Sequence, residues 1–214
     1  MNVLRRYYVS LLLVMLAFLF VAVVFHRLPQ EIPVHWGADG RANGWLVKPW
    51  GALVLPFVAL GATLLLIFVP GIVQSGFPMT SPPKVYPTVV AAFAGFVAFA
   101  TGVQLLVAAG APLNLPRLIM AAAGGLLAVS GNYLGKVPRN HLLGIRNAWT
   151  LSSDFVWART HRFAGPIFVL SGLLLLVYAM IEEGPPNPGV VLFVIGTMVM
   201  LPTIYSYLLW RQRK

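Results

Sequence analysis

The chain has 214 residues, 59% of them hydrophobic and only 9% charged, with a net charge of +10 and a mean hydropathy of +0.83. A water-soluble domain of this size carries roughly a quarter charged residues, so the composition excludes a soluble globule and points to a polytopic membrane protein. Cysteine is absent, which excludes disulfides, zinc–thiolate sites and a thiol nucleophile.

The first apolar run covers residues 9–25, after Arg5 and Arg6. It passes straight into Phe25-His26-Arg27-Leu28-Pro29 without a small-residue cleavage site, so it reads as a retained span rather than a secretory signal. Residues 29–49 form a long polar loop, with turn chemistry at Asp39-Gly40 and Asn43-Gly44. Trp36, Trp45 and Trp50 suit the membrane interface, where the ring is apolar and the N–H stays wet. The second span covers about 50–70, followed by a turn-rich link at 71–84. The third runs over about 86–109 and turns at Gly110-Ala111-Pro112. The fourth starts near 115 and ends near 133, the fifth covers about 163–181, and the sixth about 190–209. The expected fold is thus all-α, a six-span helical bundle in one membrane domain. A first half, 1–110, carries the 29–49 loop, and a second half, 111–214, carries a loop at 136–162.

Basic residues orient the chain. With the amino end inside, Arg5, Arg6, Lys84, Lys136, Arg139, Arg146, Arg159, Arg162, Arg211, Arg213 and Lys214 are cytoplasmic. Only Arg27, Arg41, Lys48 and Arg117 lie outside. That bias predicts a multi-pass protein of the cytoplasmic membrane with both termini inside. It also accounts for the net charge without nucleic acid as a partner. Glu31, Asp39, Glu182 and Glu183 then lie outside. The spans themselves hold almost no ionisable groups, which weighs against an ion-driven pump. Thr101, Gln104, Ser130 and Asn132 suit hydrogen bonds between helices, and Gly95, Gly102, Gly124, Gly125 and Gly172 suit close helix packing.

The stretch 131–165 is the second polar segment and the most informative one. Pro138 breaks the fourth helix, residues 140–150 read as irregular, and Ser152 or Ser153 can cap a new helix with Asp154 in its first turn. That helix is expected to be short and to lie at the headgroups, with Arg159 and Arg162 on its basic side, before the chain turns into the fifth span. Trp157 and His161 are four apart and share a face. Asp154, His161 and His141 could be assembled into a metal site, but their spacing is no known ligand pattern, and no metal or cofactor is expected. No activated nucleophile is evident, so an enzyme is not expected either.

Two motifs carry a resemblance. Residues 140–151, NHLLGIRNAWTL, followed by residues 156–165, VWARTHRFAG, resemble the signature of the SdpI family of bacterial membrane immunity proteins. Residues 32–40, IPVHWGADG, with Lys48 beyond them, resemble the outer motif of the same family. The resemblance implies that Asn140, Gly144, Arg146, Trp149, Thr150, Trp157, Thr160, His161 and Gly165 are the characteristic inner positions. Pro33, His35, Trp36, Gly40 and Lys48 are the outer ones, and Asp39 is expected to help order that loop. The family usually has Thr-Pro before the inner Trp; here Asn147-Ala148 stands there, an exchange expected to loosen the turn. The resemblance further implies immunity to a membrane-active peptide toxin met outside, and a receptor role that draws a transcriptional repressor to the membrane from inside. A small transporter or lipid-binding protein is the alternative, expected to have a polar cavity near Gln104, Asn132 and Tyr133. A membrane-embedded enzyme is the next.

The two polar loops occupy corresponding places in halves of opposite orientation, as in an inverted repeat. Pro33, His35, Gly40, Asn43 and Trp45 in one echo Pro138, His141, Gly144, Asn147 and Trp149 in the other.

Overall fold

The computed structural model describes residues 3–37, 39–72, 84–182 and 184–213. Nearly all of the 71–84 link, together with Glu183 and Lys214, lies outside the described residues. In chain order the elements are α1 (Val3–Val24), β1 (Glu31–Trp36), β2 (Ala42–Val47), α2 (Trp50–Ile72), α3 (Tyr86–Ala108), α4 (Leu115–Leu134), α5 (Ala148–Ser152), α6 (Asp154–Ile181) and α7 (Pro188–Arg211), with a short 3-10 turn at Phe25–Arg27. Six of the helices are long and apolar enough to cross a membrane. The protein is a polytopic helical membrane protein.

Capping explains several boundaries. Asn114 accepts from the Arg117 amide at 3.2 Å ahead of Pro116, and Asn187 accepts from the Gly189 amide at 2.8 Å ahead of α7. Both place a side-chain oxygen on an orphan N–H and a proline in the first turn, where its missing N–H costs nothing. Pro56, Pro70, Pro166 and Pro202 lie inside helices, as transmembrane packing permits.

The bundle has two distinct ends. At one, Ile32 of β1 is fully buried among Val21, Leu28, Ala52 and Leu105. At the other, Tyr7, Tyr86 and Val90 pack with Leu142 and Leu143 of the second polar segment. The two polar segments therefore cap opposite ends, and the long helices alternate in direction between them.

Three expectations are corrected. The 29–49 segment, expected as a long polar loop, holds an antiparallel hairpin, with Glu31 opposite Val47 and Trp36 opposite Ala42. The Gly37 amide donates to the Arg41 carbonyl at 2.9 Å where the chain reverses, with Gly40 at φ +75°, while Asn43 and Gly44 sit in β2. The expected interfacial helix is no separate element, because α6 runs unbroken from Asp154 to Ile181. At 28 residues it is about 42 Å long, well beyond the roughly 30 Å hydrocarbon core, so its first turns can stand clear of the bilayer. Within 140–150, finally, α5 begins at Ala148.

Glycine spacing builds the closest helix pair. A Cβ on Gly124 would lie 2.5 Å from the Gly172 carbonyl oxygen, and one on Gly131 would lie 2.7 Å from that of Gly165. The two pairs are seven residues apart on each helix and run antiparallel, so α4 and α6 touch backbone to backbone for two turns. Lipid offers no hydrophobic drive for helix association, which leaves close van der Waals packing of this kind to supply it. The expectation fails for the other glycines: nothing lies within 4 Å of a Cβ on Gly102 or Gly125, and Gly95 meets only a Leu13 methyl at 3.6 Å.

The halves do not pack alike. In the first, α1, α2 and α3 all touch, with α1 and α3 most closely paired; in the second, α6 lies along α4 and also packs against α7. The polar segments also differ in kind, one a hairpin and one a braced loop.

Candidate functional site

The braced loop between α4 and α6 gathers most of the inner motif. Trp157 and His161, one turn apart on α6, stack with centroids 4.0 Å apart and planes at 20°. Both are buried. The Trp157 indole N–H donates to the Val137 carbonyl at 2.7 Å, holding the chain as it leaves α4. His161 Nδ1 donates to the Trp157 carbonyl at 2.8 Å, and Nε2 accepts from the Ile145 amide at 2.9 Å. This pairing requires the neutral Nδ1–H tautomer. Gly144, at φ +118°, passes directly over the His161–Trp157 stack.

Asn140 is the second hub. It is fully buried. Its Nδ2 donates to the carbonyls of Pro138 and Leu143 at 2.7 and 3.1 Å. Its Oδ1 accepts from the amides of Leu142 and Leu143 at 2.7 and 2.8 Å. Every capacity of the amide is thereby used, and a tight loop holds its shape without regular structure.

The third hub is a capping box. Asn147 Oδ1 accepts from the amides of Trp149 and Thr150 at 3.1 and 2.9 Å, and Thr150 Oγ1 accepts from the Asn147 amide at 3.0 Å. Thr150 Oγ1 also lies 2.8 Å from the Ile145 carbonyl. Asn147 Nδ2 donates to Ser206 Oγ at 3.0 Å, which ties the loop to α7, and Trp149 packs on Tyr207. The Asn147-Ala148 exchange does not loosen this turn, because asparagine caps as well as threonine does. An Asn or Thr followed three residues on by a hydroxyl acceptor is a signal that sequence can carry.

The remaining inner residues stand apart. Arg146 is exposed and donates to the His141 carbonyl. Thr160 is fully buried, and its hydroxyl has no hydrogen-bond partner among the described residues. Gly165 lies in the α4–α6 crossing. Asp154 pairs with Arg139 at 2.7 Å and is largely exposed, so the pair contributes at most about 1 kcal/mol. Asp154, His161 and His141 do not assemble: among the described residues no group of three or more His, Asp or Glu could hold a metal ion. The Ser153 hydroxyl makes no cap bond to α6.

At the hairpin end, Trp36, Asp39 and Gly40 line a cleft of about 500 Å³ with the α3–α4 and α6–α7 connections. His35 Nδ1 lies 2.5 Å from Asn43 Oδ1 across the strands, and Asp39 accepts from the Arg41 amide at 3.1 Å. Lys48 donates to the Leu28 carbonyl at 3.1 Å and lies over the Phe25 ring. Trp45 and Trp50 are exposed, while Trp36 is half-buried in the cleft.

Gln104 anchors this end, and no local signal in the sequence says so. From α3 its Nε2 donates to the carbonyls of Pro33 and Gly51 at 2.9 and 3.2 Å. Gln104→Met would leave both carbonyls without that donor, at about 1–3 kcal/mol each where they are buried. The expected result is faster proteolytic cutting between Gly37 and Arg41 with the helices intact; an unchanged cutting rate would show that Gln104 does not hold the hairpin.

Residues 136–206, from the end of α4 through most of α7, match the model of the SdpI/YfhL protein family. The resemblance to SdpI is established. Residues 12–60, which take in the hairpin, match a second model, described as a domain of unknown function, DUF1648. The chain is also similar to the immunity protein SdpI of Bacillus subtilis, at 27% identity over 176 residues, covering 81% of each chain. No solved structure matches. The SdpI/YfhL match covers the capping box, the Trp157–His161 stack and, on α7, Ser206, which bonds Asn147.

Proposed function

We propose that this chain is a non-enzymatic immunity protein of the SdpI type. The similarity to the Bacillus subtilis immunity protein, over 81% of the chain, is what supports the reading. In it, the hairpin end faces outside and meets or excludes an amphipathic peptide toxin at the Trp36–Asp39–Gly40 cleft. The loop end faces the cytoplasm, with both termini, and presents Arg146 to a repressor or another protein. The basic residues at that end support this orientation through the positive-inside bias. Arg146 suits a partner contact because it is exposed on a loop that buried Asn140, Thr150, Trp157 and His161 hold rigid. DNA is not contacted directly; the basic charge serves membrane orientation.

Among the described residues, the three polar positions that the transporter alternative calls for do not come together. Gln104 lies against the hairpin, while Asn132 and Tyr133 lie near the other end of the bundle. They do not line one polar path.

Expression in a toxin-sensitive cell tests the proposal. Survival is expected to rise with the wild-type chain and to fall back with His35→Ala. Arg146→Ala is expected to leave survival intact and to abolish the transcriptional response. Survival unaffected by the wild-type chain at normal membrane levels rejects the immunity reading.

A further inference from the structure

A groove of about 590 Å³ opens between α4 and α6 at the loop end. Gly131 and Gly165 line it where the two helices come backbone to backbone, so the groove runs alongside the crossing. Lys136 and Arg162 stand at its mouth, both exposed. Lys136 Nζ lies over the Tyr133 ring at 5.0 Å, and Arg162 makes a 3.3 Å bond from Nε to the Ala158 carbonyl. Neither forms an ion pair among the described residues, and no acidic residue lines the groove.

Farther along α6 the lining changes to Pro166, Val169 and Leu170. From Arg162 to Leu170 the helix rises about 12 Å, which is the passage from headgroup depth to hydrocarbon. Pro166 has no N–H to give the Arg162 carbonyl one turn back, so a backbone acceptor is also released at the polar end. The groove is thus cationic at one end and apolar at the other, on the axis along which a lipid molecule is itself polar and then apolar. A free phosphate would use only the first part.

We propose that this groove binds one anionic phospholipid, its phosphate between Lys136 and Arg162 and an acyl chain along Pro166, Val169 and Leu170. Basic pockets between transmembrane helices recognise anionic headgroups, and each cation near the headgroup contributes roughly a fivefold gain in affinity. The site is independent of the immunity reading: it needs neither a toxin nor a repressor.

Native mass spectrometry of the detergent-purified protein, titrated with phosphatidylglycerol, phosphatidylcholine and inorganic phosphate, tests it. One phosphatidylglycerol is expected to stay bound where phosphatidylcholine is lost, and inorganic phosphate is not expected to displace it. Lys136→Gln with Arg162→Gln is expected to weaken binding about thirtyfold. Leu170→Trp, which narrows the apolar end without touching charge, is expected to weaken it as well. Arg159→Gln, a basic residue of the same helix end that does not line the groove, is expected to change little. Equal retention of both lipids, displacement by inorganic phosphate, or an equal loss with Arg159→Gln would each overturn the proposal.

Discussion

Gly144→Ala is expected to unseat the whole braced loop. Two effects add at this position. At φ +118° an L-residue is strained by about 1–3 kcal/mol. The new Cβ would also overlap Nε2 of His161 and lie 3.1 Å from Cζ2 of Trp157. Neither ring can retreat, because Trp157 is held by Val137 and His161 by its own helix turn. Overpacking of this kind costs about 1–3 kcal/mol more. The Ile145–His161 bond is the first to break, since it lies beside the intruding methyl. Hydrogen exchange at the Ile145 amide should accelerate by a factor of about 30 or more, while amides in the middle of α6 stay protected. Adding His161→Ala to the Gly144→Ala protein checks the cause: it should make room for the new methyl and recover part of the lost protection across the loop. A Gly144→Ala protein with wild-type exchange at Ile145 would mean that the loop is not braced in this way.

The second large effect is expected at the α4–α6 crossing. A Cβ on Gly172 would overlap the Gly124 carbonyl oxygen and lie 2.7 Å from the Ala128 amide nitrogen. All of these are backbone atoms, so no rotamer change relieves the clash, and the helices must separate. Gly172→Val should therefore cost more than an ordinary core overpacking, which is about 1–3 kcal/mol. Gly125→Val is the paired control, since nothing lies within 4 Å of a Cβ there. Thermal unfolding in detergent should show Gly172→Val strongly destabilised and Gly125→Val close to wild type. Equal melting temperatures for the two variants would mean that the crossing does not depend on these glycines.

This contrast marks where sequence reading stops. Gly124 and Gly125 are neighbours in the chain and equally apolar in setting. Only one faces Gly172, and helix rotation decides which. The seven-residue spacing from Gly124 to Gly131 and from Gly165 to Gly172 was present in the sequence, but nothing local pairs one set with the other. The Trp157–His161 stack was legible, because a separation of four on one helix places two rings on one face whatever surrounds them. The bond from His161 to Ile145 was not, since it crosses from a helix to an irregular loop 16 residues away. The expected turn between an interfacial helix and the fifth span failed for a related reason. Arg159 and Arg162 look interfacial, yet a long helix can carry them at its protruding end without turning.

The sequence by itself determined the solvent of this protein and the number of its spans. Apolar runs about 20 residues long must satisfy their backbone groups internally once in lipid, and only a helix does that within one segment. It also determined the two polar segments and the motifs that tie the chain to SdpI. Only the tertiary structure decided what those segments become. The hairpin rests on Gln104, 71 residues from Pro33, and the inner loop on Ser206, 59 residues from Asn147. Polar backbone at a bundle end has no partner of its own, so its shape follows from whichever buried donors and acceptors the packed helices bring to it.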